Sequence, residues 1–178
     1  MRRPSLTALS ASLTLALAAC VPQSVPPAPA PSPVALPAPP PRPPVVATSS
    51  DWRDWPLTPG TWTWRRDERG SIALFGAAGS DARLTLRCDL GRRQIFLSVA
   101  GGVTAPITVR TTSTTRTLAV QPTGGTPLYV APALAPADPL LDAMAFSRGR
   151  FVVQQPGGST LVVPAWAEIG RVTEDCRG

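Results

Sequence analysis

Apolar and polar residues alternate most regularly between Arg83 and Leu90. Leu84, Leu86, Cys88 and Leu90 fall on one face there, and Arg83, Thr85, Arg87 and Asp89 on the other. A period of two marks a strand with one face buried, because successive side chains leave a strand on opposite sides. The segment therefore predicts a strand that points Cys88 inward and keeps a wet outer face. Shorter runs rich in aromatic and β-branched residues predict further strands over 61–65, 71–75, 94–99, 107–112, 116–121, 128–131, 150–155 and 160–163. Turn signals separate most of them: Asp67-Glu68-Arg69-Gly70, Gly91-Arg92-Arg93, Gly101-Gly102, Gly124-Gly125 and Pro156-Gly157-Gly158. Many short strands so punctuated predict a mainly β fold, an antiparallel sandwich or barrel.

Two stretches break that rhythm. Residues 138–146 read as a short helix, with Asp138 as its cap and Pro139 in its first turn. Residues 165–177 predict a C-terminal helix. Its Trp166, Ile169, Val172 and Cys176 recur at spacings of three, three and four, which puts all four on one face. Glu168 with Arg171 and Glu174 with Arg177 sit three apart, the spacing of surface ion pairs on a helix. Residues 51–178 are thus expected to form one domain of ordinary size.

The chain ahead of that domain follows different rules. Arg2 and Arg3 precede a mostly apolar run from Leu6 to Ala19, 14 residues long. That is the layout of an export signal, and the run is shorter than the roughly 20 residues a membrane-spanning helix needs. It ends in Leu17-Ala18-Ala19-Cys20, which resembles the lipobox of bacterial lipoproteins. The resemblance implies a signal over residues 1–19, cleavage before Cys20, and lipid on the Cys20 sulfur and the new amine. It also implies an outer-membrane address, because Val21 stands where an aspartate would retain the protein in the inner membrane. The competing reading is an ordinary cleavable signal with an incidental cysteine.

From Pro22 to Pro44, 12 of 23 residues are proline. Such a tract makes neither a helix nor a central strand, and extends by about 3.1 Å per residue as polyproline II. Residues 20–50 therefore read as a lipidated cysteine followed by a disordered spacer. Pro39-Pro40-Pro41-Arg42-Pro43-Pro44 could alternatively serve as a docking ligand for a partner.

Composition removes several classes of chemistry. The chain has 17 basic residues, all arginine, 11 acidic residues and no histidine. Without the 19-residue signal and its two arginines the side-chain balance is 15 − 11 = +4. The arginines are scattered among acids, so no nucleic-acid surface is expected. The absence of histidine removes Ser-His-Asp, Cys-His and His-zinc chemistry, and the absence of lysine removes the other common base for a serine nucleophile. No metal site and no cofactor are expected. Once Cys20 is assigned to lipid, Cys88 and Cys176 remain, and in an oxidising compartment they are expected to pair. Two free thiols are the alternative.

Four candidate sites remain. Arg148 and Arg150 flank Gly149 after the short helix and could bind an anion, although a solvated turn accounts for them more simply. Glu168, Glu174 and Asp175 could act as paired carboxylates, but helix-surface pairing is more economical. Trp62 and Trp64 are expected to face the core, with Trp52 and Trp55 folding over an edge as a lid. The Thr-rich segment 108–117 reads as an exposed hairpin.

The stretch from Leu140 to Cys176 runs helix, strand, glycine turn, strand, helix and cysteine. It resembles the closing segment of small exported β-sandwich domains, including the invasion-associated locus B family and accessory lipoproteins of type VI secretion. Asp138-Pro139-Leu140-Leu141-Asp142 and Ser147-Arg148-Gly149-Arg150-Phe151 look like uncharacterised alphaproteobacterial envelope proteins. No activity follows from either resemblance. The expected function is a non-enzymatic binding or assembly module, held to a membrane by its lipid, whose partner is an envelope protein or peptidoglycan. The alternative is an inhibitor of a host hydrolase such as lysozyme.

Overall fold

A computed structural model of the chain describes residues 50–178. The expected signal, the Cys20 lipid site and the spacer as far as residue 49 lie outside the described residues. The fold is mainly β, with antiparallel sheets and two α-helices, the second at the C-terminus.

The strands are β1 (Thr61–Asp67), β2 (Gly70–Gly76), β3 (Leu84–Asp89), β4 (Gln94–Ala100), β5 (Ile107–Arg110), β6 (Thr115–Leu118), β7 (Gln121–Pro122), β8 (Tyr129–Ala131), β9 (Ala133–Leu134), β10 (Arg150–Gln154) and β11 (Thr160–Pro164). The helices are α1 (Pro139–Ala145) and α2 (Ala167–Arg177), and a 3-10 helix spans Trp52–Asp54. Strands β1-β2-β3-β4-β8-β7 form a large sheet, with β9 also on β4, and β11-β10-β5-β6 form a small one.

Pairing register decides which faces meet. Phe75 lies opposite Trp62 and Leu84, and Leu84 opposite Val99. Two residues along each strand, Trp64, Ala73, Leu86 and Leu97 form the next row, and Arg66, Ser71, Cys88 and Ile95 the last. Phe75, Leu84, Leu86, Cys88, Ile95 and Leu97 are fully buried. They share one core with Ile107, Val109, Phe151, Val153, Leu161 and Val163 of the small sheet and with Ile169 and Val172 of α2. The large sheet thus buries one face, partly under the small sheet and partly under α2. Burying each such side chain contributes about 1.5–3 kcal/mol.

Helix α2 is fastened where the last row would otherwise be open. The sulfurs of Cys88 and Cys176 stand 2.15 Å apart, at disulfide distance, with their Cα atoms 5.4 Å apart. Arg66 of β1 donates to Asp175 at 2.5 Å. The Arg171 guanidinium lies 3.9 Å from the centre of the Trp64 ring, a cation–π geometry. Trp64 Nε1, Ser71 Oγ and Asp175 Oδ2 are buried and make no hydrogen bond of good geometry. Burial alone would raise the Asp175 pKa. Attraction by Ser71, Arg66 and Trp64 outweighs it, so the pKa ends below the ordinary carboxylate value.

Helix α1 begins as its sequence dictates. The Asp138 carboxylate accepts from the Leu140 N–H at 2.9 Å, and Pro139 occupies the first turn, where an N–H would have no partner. Arg116 holds the same carboxylate through two bonds of 2.8 and 2.7 Å.

Several expectations need correction. Strand β3 ends at Asp89, and Leu90 is 54% exposed in the following turn, not a fourth inward residue. Asp89 ends the strand by turning its carboxylate to the Arg92 N–H at 3.0 Å. The C-terminal helix starts at Ala167; Trp166 is its cap residue and is 45% exposed, off the buried face. Tertiary contacts join those expected within α2: Arg171 stacks on Trp64, and Arg177 reaches Asp142 of α1 at 2.9 Å while the Glu174 charge also attracts it. The strand expected over 107–112 stops at Arg110, because the Thr111 hydroxyl accepts from the Ser113 and Thr114 N–H groups and makes a turn. The strand expected over 116–121 divides between the two sheets as β6 and β7. The short β9 carries no periodic signal and was not anticipated.

The link between Cys88 and Cys176 joins residues separated by 88 positions along the chain. Replacing both cysteines with alanine is expected to lower the unfolding free energy by about 4 kcal/mol, since a loop of that length loses much entropy when closed in the unfolded chain. Urea titration followed by far-ultraviolet circular dichroism measures it; an unchanged midpoint refutes the link.

Candidate functional site

Among the described residues no second layer covers the outer face of the large sheet, yet many of its side chains are sheltered. Ile72, Thr85, Ser98 and Ala131 are all buried. They lie in a trough of about 680 Å³, a volume in the usual range for small-ligand sites. Ile72 and Leu74 of β2, Thr85 of β3 and Phe96 and Ser98 of β4 form its floor, and residues 121–124 with Tyr129 form one wall. Tyr129 Oη donates to the Ala82 carbonyl at 2.6 Å, so its ring is fixed and its oxygen committed. Burial raises the Tyr129 pKa, with the Asp81 charge adding to it.

An arginine–aspartate lattice closes one end. Arg87 grips Asp67 with two bonds of 3.0 and 2.7 Å, and Arg69 donates to Asp89 at 2.6 Å. Bidentate contacts of this kind fix orientation as well as charge. The β1–β2 turn that carries Arg69 depends on Gly70. Its φ of +139° is closed to other residues, and a Cβ there would stand 2.8 Å from the Cys88 carbonyl oxygen. Arg92 lies over the Phe96 ring at 5.8 Å, and its N–H donates to the Asp89 carboxylate at 3.0 Å. The hydrogen bond from Arg87 brings the Asp67 pKa down to about 2, against some opposition from burial. The bond from Arg69 lowers that of Asp89 in the same way.

Comparison with protein-family models, with curated proteins and with solved structures finds no match. The site is therefore read from its own geometry.

That geometry offers an apolar floor with an aromatic ring, flanked by hydroxyls, planar guanidinium groups and ionised carboxylates. Such a surface can hold a ligand with one apolar side and several polar groups. Asp67 and Asp89 are ionised at neutral pH, and neither has a proton to give a reacting group there. Among the described residues no group of three or more acidic, cysteine or histidine side chains could hold a metal.

The other candidates have structural partners. Arg150 Nη1 donates to the Trp55 carbonyl, and Ser147 Oγ donates to the Arg150 carbonyl at 2.5 Å while accepting from the Thr112 N–H. Arg148 is exposed, and its N–H donates to Thr112 Oγ1 at 3.2 Å. Arg148 and Arg150 thus flank a turn at φ +74° for Gly149 that braces two neighbouring segments. Of the C-terminal acids, Asp175 serves Arg66, far from the trough. Trp62 is buried and donates through Nε1 to the Pro164 carbonyl at 2.9 Å. Trp52 lies over Val152 and Val162 on the outer face of the small sheet, with Trp55 against them. The segment 107–118 is a hairpin whose Thr108 and Thr117 hydroxyls meet at 3.0 Å.

The trough residues Ile72, Phe96 and Tyr129 were missed. Their signal is the unbroken apolar runs Ile72-Ala73-Leu74-Phe75 and Ile95-Phe96-Leu97, which lack alternation. A strand apolar on both faces is sheltered on both. The expected wet face of β3 is accordingly sheltered: Thr85 is 8% exposed and Asp89 6%.

Arg87→Gln is expected to return the Asp67 pKa from about 2 toward its ordinary 3.8. The sign follows from linkage: a carboxylate whose pKa is lowered on folding stabilises the fold above its unfolded pKa and loses that contribution as pH falls through its folded value. The variant should be the less stable above pH 4, with the difference vanishing as the pH falls to 2. Carboxyl carbon NMR titration and acid unfolding measure both; an Asp67 titration unmoved by the substitution refutes the assignment.

Proposed function

We propose that this chain is an exported, lipid-anchored binding module of the bacterial cell envelope, acting by contact. The observation that carries the reading is the order of parts in the sequence: Arg2 and Arg3, a 14-residue apolar run, Cys20 after Leu17-Ala18-Ala19, a proline-rich spacer, and then the domain. Each part needs the next. An anchored domain needs slack chain to reach a partner, and proline supplies extended slack that cannot collapse into a helix. The pair at disulfide distance between Cys88 and Cys176 suits an oxidising compartment.

The trough is where this module takes its ligand. Its carboxylates are held in ion pairs by arginines, which favours recognition over bond-breaking. An envelope protein or a peptidoglycan strand, each with apolar and polar groups side by side, is the class of partner that suits it. No helix among the described residues is long and apolar enough to cross a membrane, and the proposed attachment is the lipid on Cys20, with the outer membrane as its site.

Mass spectrometry of the protein from its own envelope tests the anchor. A peptide beginning at Cys20 with added acyl mass is expected, and Cys20→Ala should move the protein from the membrane to the soluble fraction. An unmodified Cys20 overturns the reading. For the trough, Leu74→Arg places a charge on its floor. Crosslinks formed by the wild-type chain to its partner in intact envelopes should disappear in that variant, while its melting temperature stays within a few degrees. Crosslinks unaffected by the substitution exclude the trough.

A further inference from the structure

The end of the small sheet where the described chain begins differs from the rest of the surface. Arg150 pairs with Pro164, Val152 with Arg110, and Arg110 with Thr115, so four segments meet beyond that end. They are the 110–115 turn, the 146–149 turn, residues 165–166 and the start of the 3-10 helix. Hydrogen bonds tie them together: Thr112 N–H to Ser147 Oγ, Arg148 N–H to Thr112 Oγ1, Ala165 N–H to the Gly149 carbonyl, and Arg150 Nη1 to the Trp55 carbonyl. Trp52 and Arg53 lie beside the 110–115 turn.

This pole carries two large apolar side chains in water. Phe146 is 82% exposed, more than any other large apolar residue described, and Trp166 is 45% exposed. Arg148 is exposed among them; Arg110 borders the neighbouring turn, and Arg53 of the 3-10 helix, paired with Asp51 at 3.3 Å, lies beside it. Asp51, Asp54 and Glu168 are the acids nearby, so arginine and acid nearly balance. Exposed Phe and Trp beside arginine, with little net charge, suit the headgroup zone of a bilayer. There the rings sit at the apolar boundary and guanidinium groups meet phosphates.

We propose that this pole is a membrane-contact surface that seats Phe146 and Trp166 at the lipid headgroups. The inference rests on the lipid-anchored reading, and the place where the chain enters the domain supports the choice of occupant. The spacer joins at residue 50, two residues before Trp52, which lies beside the 110–115 turn of this pole. About 30 residues of spacer confine the domain within roughly 90 Å of the anchor. Confinement makes the second contact intramolecular, so a weak surface of two rings and a few arginines is enough to dock. Lipid and pole would together supply the two signals that stable peripheral attachment calls for.

The test uses the full chain purified from envelopes and reconstituted into vesicles of phosphatidylcholine, with and without phosphatidylglycerol, containing brominated lipid as a quencher of tryptophan emission. Quenching is expected in both vesicles and stronger with the anionic lipid. Trp166→Phe should remove most of it. Phe146→Ala should weaken docking roughly tenfold, the effect of losing one buried aromatic side chain, and its high exposure keeps the fold intact. Emission unaffected by the brominated lipid overturns the proposal, as does quenching that survives Trp166→Phe unchanged. Chemical crosslinks at the pole to a second copy or to another protein, in place of quenching, also overturn it. The Cys20 acyl mass, read on the same sample, tests the anchor separately. Acylated protein without quenching refutes the pole alone, and unacylated chain that is still quenched when added to vesicles refutes the anchor alone.

Discussion

The domain depends on closing the far end of the large sheet. Its inner face is longer than the small sheet can cover, and the uncovered row holds Arg66, Ser71, Cys88 and Ile95. Helix α2 fills that gap with Ile169 and Val172, both fully buried. One short amphipathic helix at a chain end would fray, since helices of this length are marginal on their own. The pair at disulfide distance at Cys176, the Arg66–Asp175 contact and the Arg171–Trp64 stack hold it from three directions. Arg177 then extends the hold to α1 through Asp142. Removing the covalent tie leaves the other contacts to oppose the fraying of the last turn, and Ser71 and Cys88 then sit at the margin of the core.

Arginine does all the cationic work in the domain, and its planar fork shapes what results. Arg87 on Asp67 and Arg116 on Asp138 are both two-pronged. One fixes the last residue of β1 beside the β1–β2 turn, and the other the start of α1. A lysine ammonium would satisfy the charge without fixing the plane. The trough inherits this rigidity. Its charged end is a lattice of oriented groups, so a ligand there would meet a preformed surface and order little on binding.

Much of the architecture was legible because the physical signals were local. The alternation from Leu84 to Cys88, the Asp138-Pro139 helix start and the spacing of Ile169, Val172 and Cys176 each report a face, and each face is where the pattern put it. The errors fall where a turn bond or a tertiary partner overrides the periodic rule. Leu90 continues the period of two, but Asp89 ends the strand by capping a turn. Arg171 and Arg177 have helix neighbours at the right spacing, and Trp64 and Asp142 add tertiary contacts. The trough was illegible for a different reason. Its floor combines residues from β2, β3 and β4, and its wall includes Tyr129 of β8, so no single segment displays it. Only the loss of alternation in Ile72–Phe75 and Ile95–Leu97 hinted that the outer face was sheltered.

The trough and the proposed membrane pole lie on different surfaces, and that separation has a physical consequence. Trp52 packs on the outer face of the small sheet, while the trough opens on the outer face of the large one. The two outer faces of a sandwich point apart, because the inner faces meet in the core between them. The pole, at the strand ends of the small sheet, leaves the trough uncovered. A domain docked through Phe146 and Trp166 would keep its ligand site open to the aqueous space, and a ligand in the trough would not compete with lipid. On the proposed reading, attachment and recognition could be changed independently: substitutions at the pole would alter residence on the bilayer, and substitutions at Leu74 or Phe96 would alter what is bound. Within the domain, the segment leading into β1 is tied to β11: the Thr58 N–H donates to the Val162 carbonyl and the Val162 N–H to Thr58 Oγ1, each at 2.9 Å.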